Sequence, residues 1–113
     1  MRTRSAKPTP LAALVVALTL AACAGLQVGR EFPSPEAVQI KADVTDKARL
    51  LTLFGEPYQV GIDNGDQTWR WFYAQRSASA SASKDLAVRF NANGTVKSYS
   101  FTSNFPEDRK KLR

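Results

Sequence analysis

The stretch Thr68–Gln75 reads TWRWFYAQ. Aromatic and β-branched side chains suit a pleated, half-buried surface, so this run predicts a strand. Alternation sorts it into two faces, with Trp69, Trp71 and Tyr73 on one and Arg70, Phe72 and Ala74 on the other. A chain of this size needs large side chains to build any core, which puts the Trp face under a covering layer. The alternative is that Trp69, Trp71, Tyr73, Tyr99 and Phe101 form an exposed partner-binding surface.

Further strands flank this one. Tyr58–Ile62 is a short extended run ending in the turn signal Asp63-Asn64-Gly65-Asp66. Ser77–Ser83 alternates Ala and Ser, has almost no side chain to bury, and is expected to be a flexible loop. Leu86–Phe90 alternates again, with Leu86, Val88 and Phe90 inward and Arg89 outward. Asn91-Ala92-Asn93-Gly94 makes a hairpin turn, and Val96–Thr102 returns.

Two helix signals precede the strands. Ser34-Pro35-Glu36 supplies an N-cap, a Pro at the first helical position and an acid in the first turn, predicting a short helix to about Lys41. Its apolar side would hold Ala37 and Ile40, with Val44 beyond. Thr45-Asp46 is a second start, at which either residue can cap. Leu50, Leu53 and Phe54 then recur at helical spacing, before Gly55 closes the helix and Pro57 forbids its continuation. The expected fold class is α+β, two short helices packed on a three- to four-stranded antiparallel sheet in the order ααβββ. The domain is expected over residues 35–105, followed by a frayed basic tail at 106–113.

Residues 1–22 have a different character. Arg2, Arg4 and Lys7 precede an apolar run from Leu11 to Leu20. That run is half the length needed to span a bilayer, but suits the apolar region of a secretion signal. Leu20-Ala21-Ala22-Cys23 resembles the lipobox of bacterial lipoproteins, which implies cleavage between Ala22 and Cys23 and a lipid on the Cys23 sulfur. The alternatives are an ordinary signal with a chance cysteine, or a short membrane anchor. Residues 23–34 are then expected to form a lipidated tether lifting the domain off the membrane. Three acyl chains would make membrane residence effectively permanent, since two already anchor stably. Ala24 after the cysteine, with no Asp there, implies by similarity to the sorting rule of enteric lipoproteins an outer-membrane location facing the periplasm.

Composition narrows the chemistry. There is no histidine, and the one cysteine is assigned to lipid, so imidazole acid–base catalysis, a thiol nucleophile, a disulfide and His or Cys metal sites are excluded. No phosphate-binding loop, nucleophile elbow or EF-hand spacing occurs. The chain is therefore expected not to be an enzyme and to use no cofactor, metal or small-molecule substrate. Without Arg2, Arg4 and Lys7, thirteen basic residues face ten acidic ones, scattered along the chain, and no nucleic-acid footprint results.

Thr45, Leu50, Phe54-Gly55-Glu56-Pro57, Thr68-Trp69, Val88 with Phe90, and Asn93-Gly94, in this order behind a lipobox, resemble the pattern of the SmpA/OmlA (BamE-like) outer-membrane lipoproteins. The resemblance covers roughly residues 36–102. One departure is Asp43, where the family often has Gly shortly before a helix-capping Thr. The resemblance implies a non-enzymatic accessory that binds envelope proteins such as the barrel-assembly machine, in outer-membrane protein assembly or envelope integrity. The same fold in a secreted β-lactamase inhibitor implies the alternative, an inhibitor-like or other binding module acting on a soluble periplasmic partner. Arg70, Phe72 and Arg89 are the candidate partner-binding residues, because alternation sets them off the Trp face and arginine beside an aromatic is a common interface hot spot.

Overall fold

The computed structural model describes residues 25–113. In chain order these form β1 (Leu26–Gly29), α1 (Lys47–Phe54), β2 (Gln59–Asp63), β3 (Asp66–Arg76), β4 (Ser81–Phe90), β5 (Val96–Ser103) and α2 (Pro106–Leu112). The strands make one antiparallel sheet, in which β3 pairs with β4 and β4 with β5. The other edge of β3 is long enough for two partners. β1 pairs with its C-terminal part, Leu26 against Arg76 and Gly29 against Tyr73, and β2 with its N-terminal part, Gln59 against Arg70 and Asp63 against Asp66. Between them the amides of Arg30 and Tyr58 donate to the carbonyls of Phe72 (3.1 Å) and Arg70 (2.8 Å), so hydrogen bonding along this edge continues from one strand to the other.

This overturns the expected ααβββ class, two helices on a three- to four-stranded sheet. The described chain is mostly sheet, with five strands, and its two short helices lie one ahead of the hairpins and one at the C-terminal end. The expected helix over Ser34–Lys41 is a series of turns. Gln39 folds back so that its Oε1 accepts from the Glu36 amide (2.9 Å), and its own amide donates to the Glu36 carbonyl. The Lys41 amide is taken by Thr45 Oγ1 at 2.8 Å. One closed turn does not repay the cost of helix nucleation, and the chain turns again at Lys41–Thr45. Ile40 is buried, whereas Val38 and Val44 are exposed.

The expected tether and tail also belong to the domain. β1 lies inside the 23–34 segment, and Phe32 is in the core. The tail at 106–113 is mostly α2, with Pro106 in its first turn and Asp108 buried. The Ser77–Ser83 loop shrinks to a turn closed by the Ser77 amide on the Ala80 carbonyl (2.7 Å), because Ser81–Ser83 pair with β3. Backbone pairing needs no large side chains.

α1 forms where its punctuation placed it. Asp46, not Thr45, is the N-cap and accepts from the Arg49 amide at 2.9 Å, and Gly55 at φ 80° ends the helix. Thr45 is buried, its carbonyl accepting from the Val96 amide. Asp43 sits at φ 65°, a conformation glycine adopts without strain, and its carboxylate accepts from Asn91 Nδ2 at 2.8 Å. The Asn64-Gly65 hairpin has both residues at positive φ, as a type I′ turn requires.

The core lies on one face of the sheet. Trp71, Tyr73, Leu86, Val88, Phe90 and Val96 are covered by Leu50 and Phe54 of α1, by Phe32 and Ile40, and by Phe105. Trp71 meets Phe54 at 5.8 Å between ring centres and donates through Nε1 to the Gly55 carbonyl (3.0 Å), fixing the end of α1 to the sheet. Trp69 is half-buried, edge-on to Phe90 at 5.0 Å with the Lys47 ammonium over its outer surface. The Trp face is thus the core side. Tyr99 and Phe101 share that side by register, opposite Val88 and Leu86.

Candidate protein interface on the open sheet face

Alternation in β3, β4 and β5 brings a second set of side chains together on the other face. The register places Thr68 beside Arg89, Arg70 beside Ala87, and Phe72 beside Asp85, with Ser98, Ser100 and Thr102 alongside on β5. None of these residues is buried. The three residues selected from the sequence, Arg70, Phe72 and Arg89, are therefore on one face, and no helix among the described residues covers it.

Their charges are already matched within the sheet. Arg70 grips Asp85 with two nitrogens, Nε at 2.9 Å from Oδ1 and Nη2 at 2.6 Å from Oδ2, while Nη1 reaches Gln59 Oε1 at 3.3 Å. The hydrogen bonds that Arg70 donates to Asp85 raise the Arg70 pKa further above its ordinary value. This guanidinium also lies 5.2 Å from the Phe72 ring centre, and Phe72 packs on Tyr58 at 6.0 Å. The result is a fixed Arg–aromatic stack. An ion pair this exposed contributes about 0–1 kcal/mol to stability, but it orders a planar donor for a partner.

Arg89 is held at the far end of the same face. Its Nε donates to Asp66 Oδ2 (2.8 Å), its Nη2 to the Asp63 carbonyl (2.7 Å), and Lys97 Nζ also reaches Asp66 Oδ2, at 2.9 Å. The hydrogen bonds from Lys97 and then Arg89 lower the Asp66 pKa below its ordinary 3.8. Arg89 ties the β2–β3 turn to β4, so its role differs from that of Arg70. Sequence reading put both arginines on this face but missed the acids beside them, because Asp85 and Asp66 become neighbours only through the register.

A second polar cluster, which sequence reading missed, lies on the core side. Lys84 is buried with its ammonium over the rings of Phe32 (4.7 Å) and Phe105 (5.6 Å), donating to the Phe32 carbonyl and to Ser34 Oγ at 3.2 Å. Ser34 in turn donates to the buried Asp108, as does Ser103, at 2.9 and 2.6 Å. A serine beside a lysine is a nucleophile–base pairing in some hydrolases. Here each group is committed to holding the 32–34 segment and α2 against the sheet, so the cluster reads as a structural clasp.

A hollow of about 500 Å³ beside Leu26, Val28, Ala74 and Ala82 is open to solvent. Among the described residues no group of acids has the arrangement of a metal site, and no helix is long and apolar enough to cross a membrane. Ala22 and Cys23 lie outside the described residues. Compared with protein-family profiles, with characterised proteins and with solved structures, the chain matches none.

Proposed function

We propose that this chain is a non-enzymatic protein-binding accessory, anchored through a lipid on Cys23 to the outer membrane and facing the periplasm. Its work is in outer-membrane protein assembly or envelope integrity, as in the SmpA/OmlA lipoproteins it resembles in sequence. The observation that supports this best is the open sheet face, where Arg70, Phe72 and Tyr58 form a fixed stack that no part of the described chain covers. Arginine and aromatic side chains held in place offer binding energy at little cost in side-chain ordering.

The test is affinity recovery of the lipidated protein from crosslinked membranes. The wild type is expected to bring down the barrel-assembly protein or its accessory lipoproteins. The Arg70→Ala, Phe72→Ala double variant, folded and lipidated, is expected to lose most of that recovery. Unchanged recovery with the double variant would remove this face from the account. Recovery of soluble periplasmic proteins alone would favour the inhibitor-like alternative.

A further inference from the structure

β5 (Val96–Ser103) is the outer strand of the sheet, and among the described residues no strand pairs with its far side. Only its first residue is covered there. The Val96 carbonyl accepts from the Asp43 amide (2.7 Å), and the Val96 amide donates to the Thr45 carbonyl (2.8 Å). Beyond Val96 the direction of the backbone groups follows from the register. The Asn104 amide donates to the Ser83 carbonyl (3.1 Å), and Thr102 and Ser100 stand opposite Asp85 and Ala87. Antiparallel ladders alternate, so Ser100 and Thr102 also direct their backbone groups to β4, while Tyr99 and Phe101 turn theirs outward.

Proteins ordinarily guard a sheet edge with charge, proline or short strands. The opposite edge of this sheet is divided between a four-residue and a five-residue strand, the second ending in Asp63. β5 lacks these protections. Its one charge, Lys97, is drawn across β4 to Asp66 at 2.9 Å, and Ser98–Ser103 contains no charged residue and no proline. Ser98-Tyr99-Ser100-Phe101-Thr102 also has the same pattern in both directions, hydroxyl and aromatic alternating about Ser100. A two-fold interface requires that symmetry, because one patch must complement itself. A foreign strand does not.

We propose that β5 pairs antiparallel with β5 of a second copy of this chain, about a two-fold axis at Ser100. Tyr99 then exchanges backbone hydrogen bonds with Phe101 of the second copy, and Phe101 with Tyr99 of the second copy. On the core side, Tyr99 is 36% exposed and Phe101 lies edge-on to Phe32 at 6.5 Å, and the pairing adds two cross-strand aromatic contacts. On the open face Ser98 meets Thr102, and no like charges oppose. The axis is perpendicular to the sheet, so both open faces lie on one side and the two Arg70–Phe72 stacks share a surface of double width. The pairing does not depend on a lipid at Cys23. Where both copies carry one, the anchors start from opposite ends of the double sheet and lay it along the bilayer.

The test is mild oxidation of the full chain in membranes of the cells that make it, read by non-reducing electrophoresis and mass. Ser100 meets Ser100 of the second copy as a non-hydrogen-bonded pair, about 4.5 Å apart at Cα and within disulfide reach. Ser98, Ser100 and Thr102 are exposed, so cysteines there leave the core intact. Ser100→Cys is expected to convert most of the protein to a disulfide dimer, far above the wild type, whose one cysteine is Cys23. Ser98→Cys and Thr102→Cys are each expected to stay monomeric, because four residues at about 3.3 Å separate each from its own counterpart. The double variant Ser98→Cys, Thr102→Cys is expected to crosslink. No dimer from Ser100→Cys in a folded protein, or as much from Thr102→Cys alone, would overturn the inference. A disulfide from residue 100 to a different protein in place of the dimer would overturn it too, and would give the edge to a foreign strand.

Discussion

Gly29 lies so close to Phe72 that a Cβ on it would stand 2.1 Å from the Phe72 carbonyl oxygen. Gly29→Ala is therefore expected to break β1 from β3, since the clash is with backbone and the φ of 80° is itself strained for alanine. The loss should be on the order of 1–3 kcal/mol, with faster amide exchange at Leu26–Gly29 while β4 and β5 keep their protection. Unchanged exchange at β1 would show that this strand is not docked as described.

The two tryptophans of β3 differ in weight. Trp71 is buried and bonded to the Gly55 carbonyl, whereas Trp69 keeps a solvent-facing edge under Lys47. Trp71→Ala should cost about 3–5 kcal/mol, which is much of what a domain this size has, and Trp69→Ala clearly less. Chemical denaturation of both variants checks the order, and equal losses would contradict it.

Acid should act through Asp66. Its pKa is lowered in the folded protein by Lys97 and Arg89, so its ionised form binds the fold more tightly than its protonated form. Its contribution is complete at pH values above the ordinary 3.8 and is lost as pH falls through the lowered folded value. Asp66→Asn should lower the denaturation midpoint at neutral pH, and the gap to wild type should close as pH falls through the lowered folded value. A gap unchanged at low pH would remove this carboxylate as its source.

The clasp beneath α2 gives a fourth expectation. Asp108→Ala takes the shared acceptor from the half-buried hydroxyls of Ser34 and Ser103, at about 0.5–1.5 kcal/mol for each bond lost. Amide exchange should rise in α2 and around Phe32 before the sheet is affected. Exchange rising uniformly would show that the clasp has no separate role.

Much of this architecture is written in local signals. The alternation of Thr68–Gln75 and Leu86–Phe90, the Asn-Gly turns, and the Gly55 and Pro57 exit of α1 each depend on neighbouring residues. What was not legible depends on distant ones. Leu26–Gly29 has no pattern of its own and becomes a strand because β3 has a free edge for it. Ser81–Ser83 pair by backbone alone. Pro106–Arg113 looks like a charged tail until Asp108 finds Ser34, 74 residues away. The helix signal at Ser34 was genuine in kind, but Gln39 closes a single turn and ends it. On the open face, alternation placed Arg70 and Arg89 correctly. Their acid partners required the register.

Binding of another protein to the open sheet face is open to direct test by a photocrosslinking side chain placed at either of two exposed positions in the lipidated protein in cells. Ala87 lies in the middle of the open face, and Thr52 on α1 across the sheet. A discrete crosslinked envelope protein is expected from residue 87 and none from residue 52. A product from residue 52 alone, or none from residue 87 in a folded and anchored protein, would contradict it.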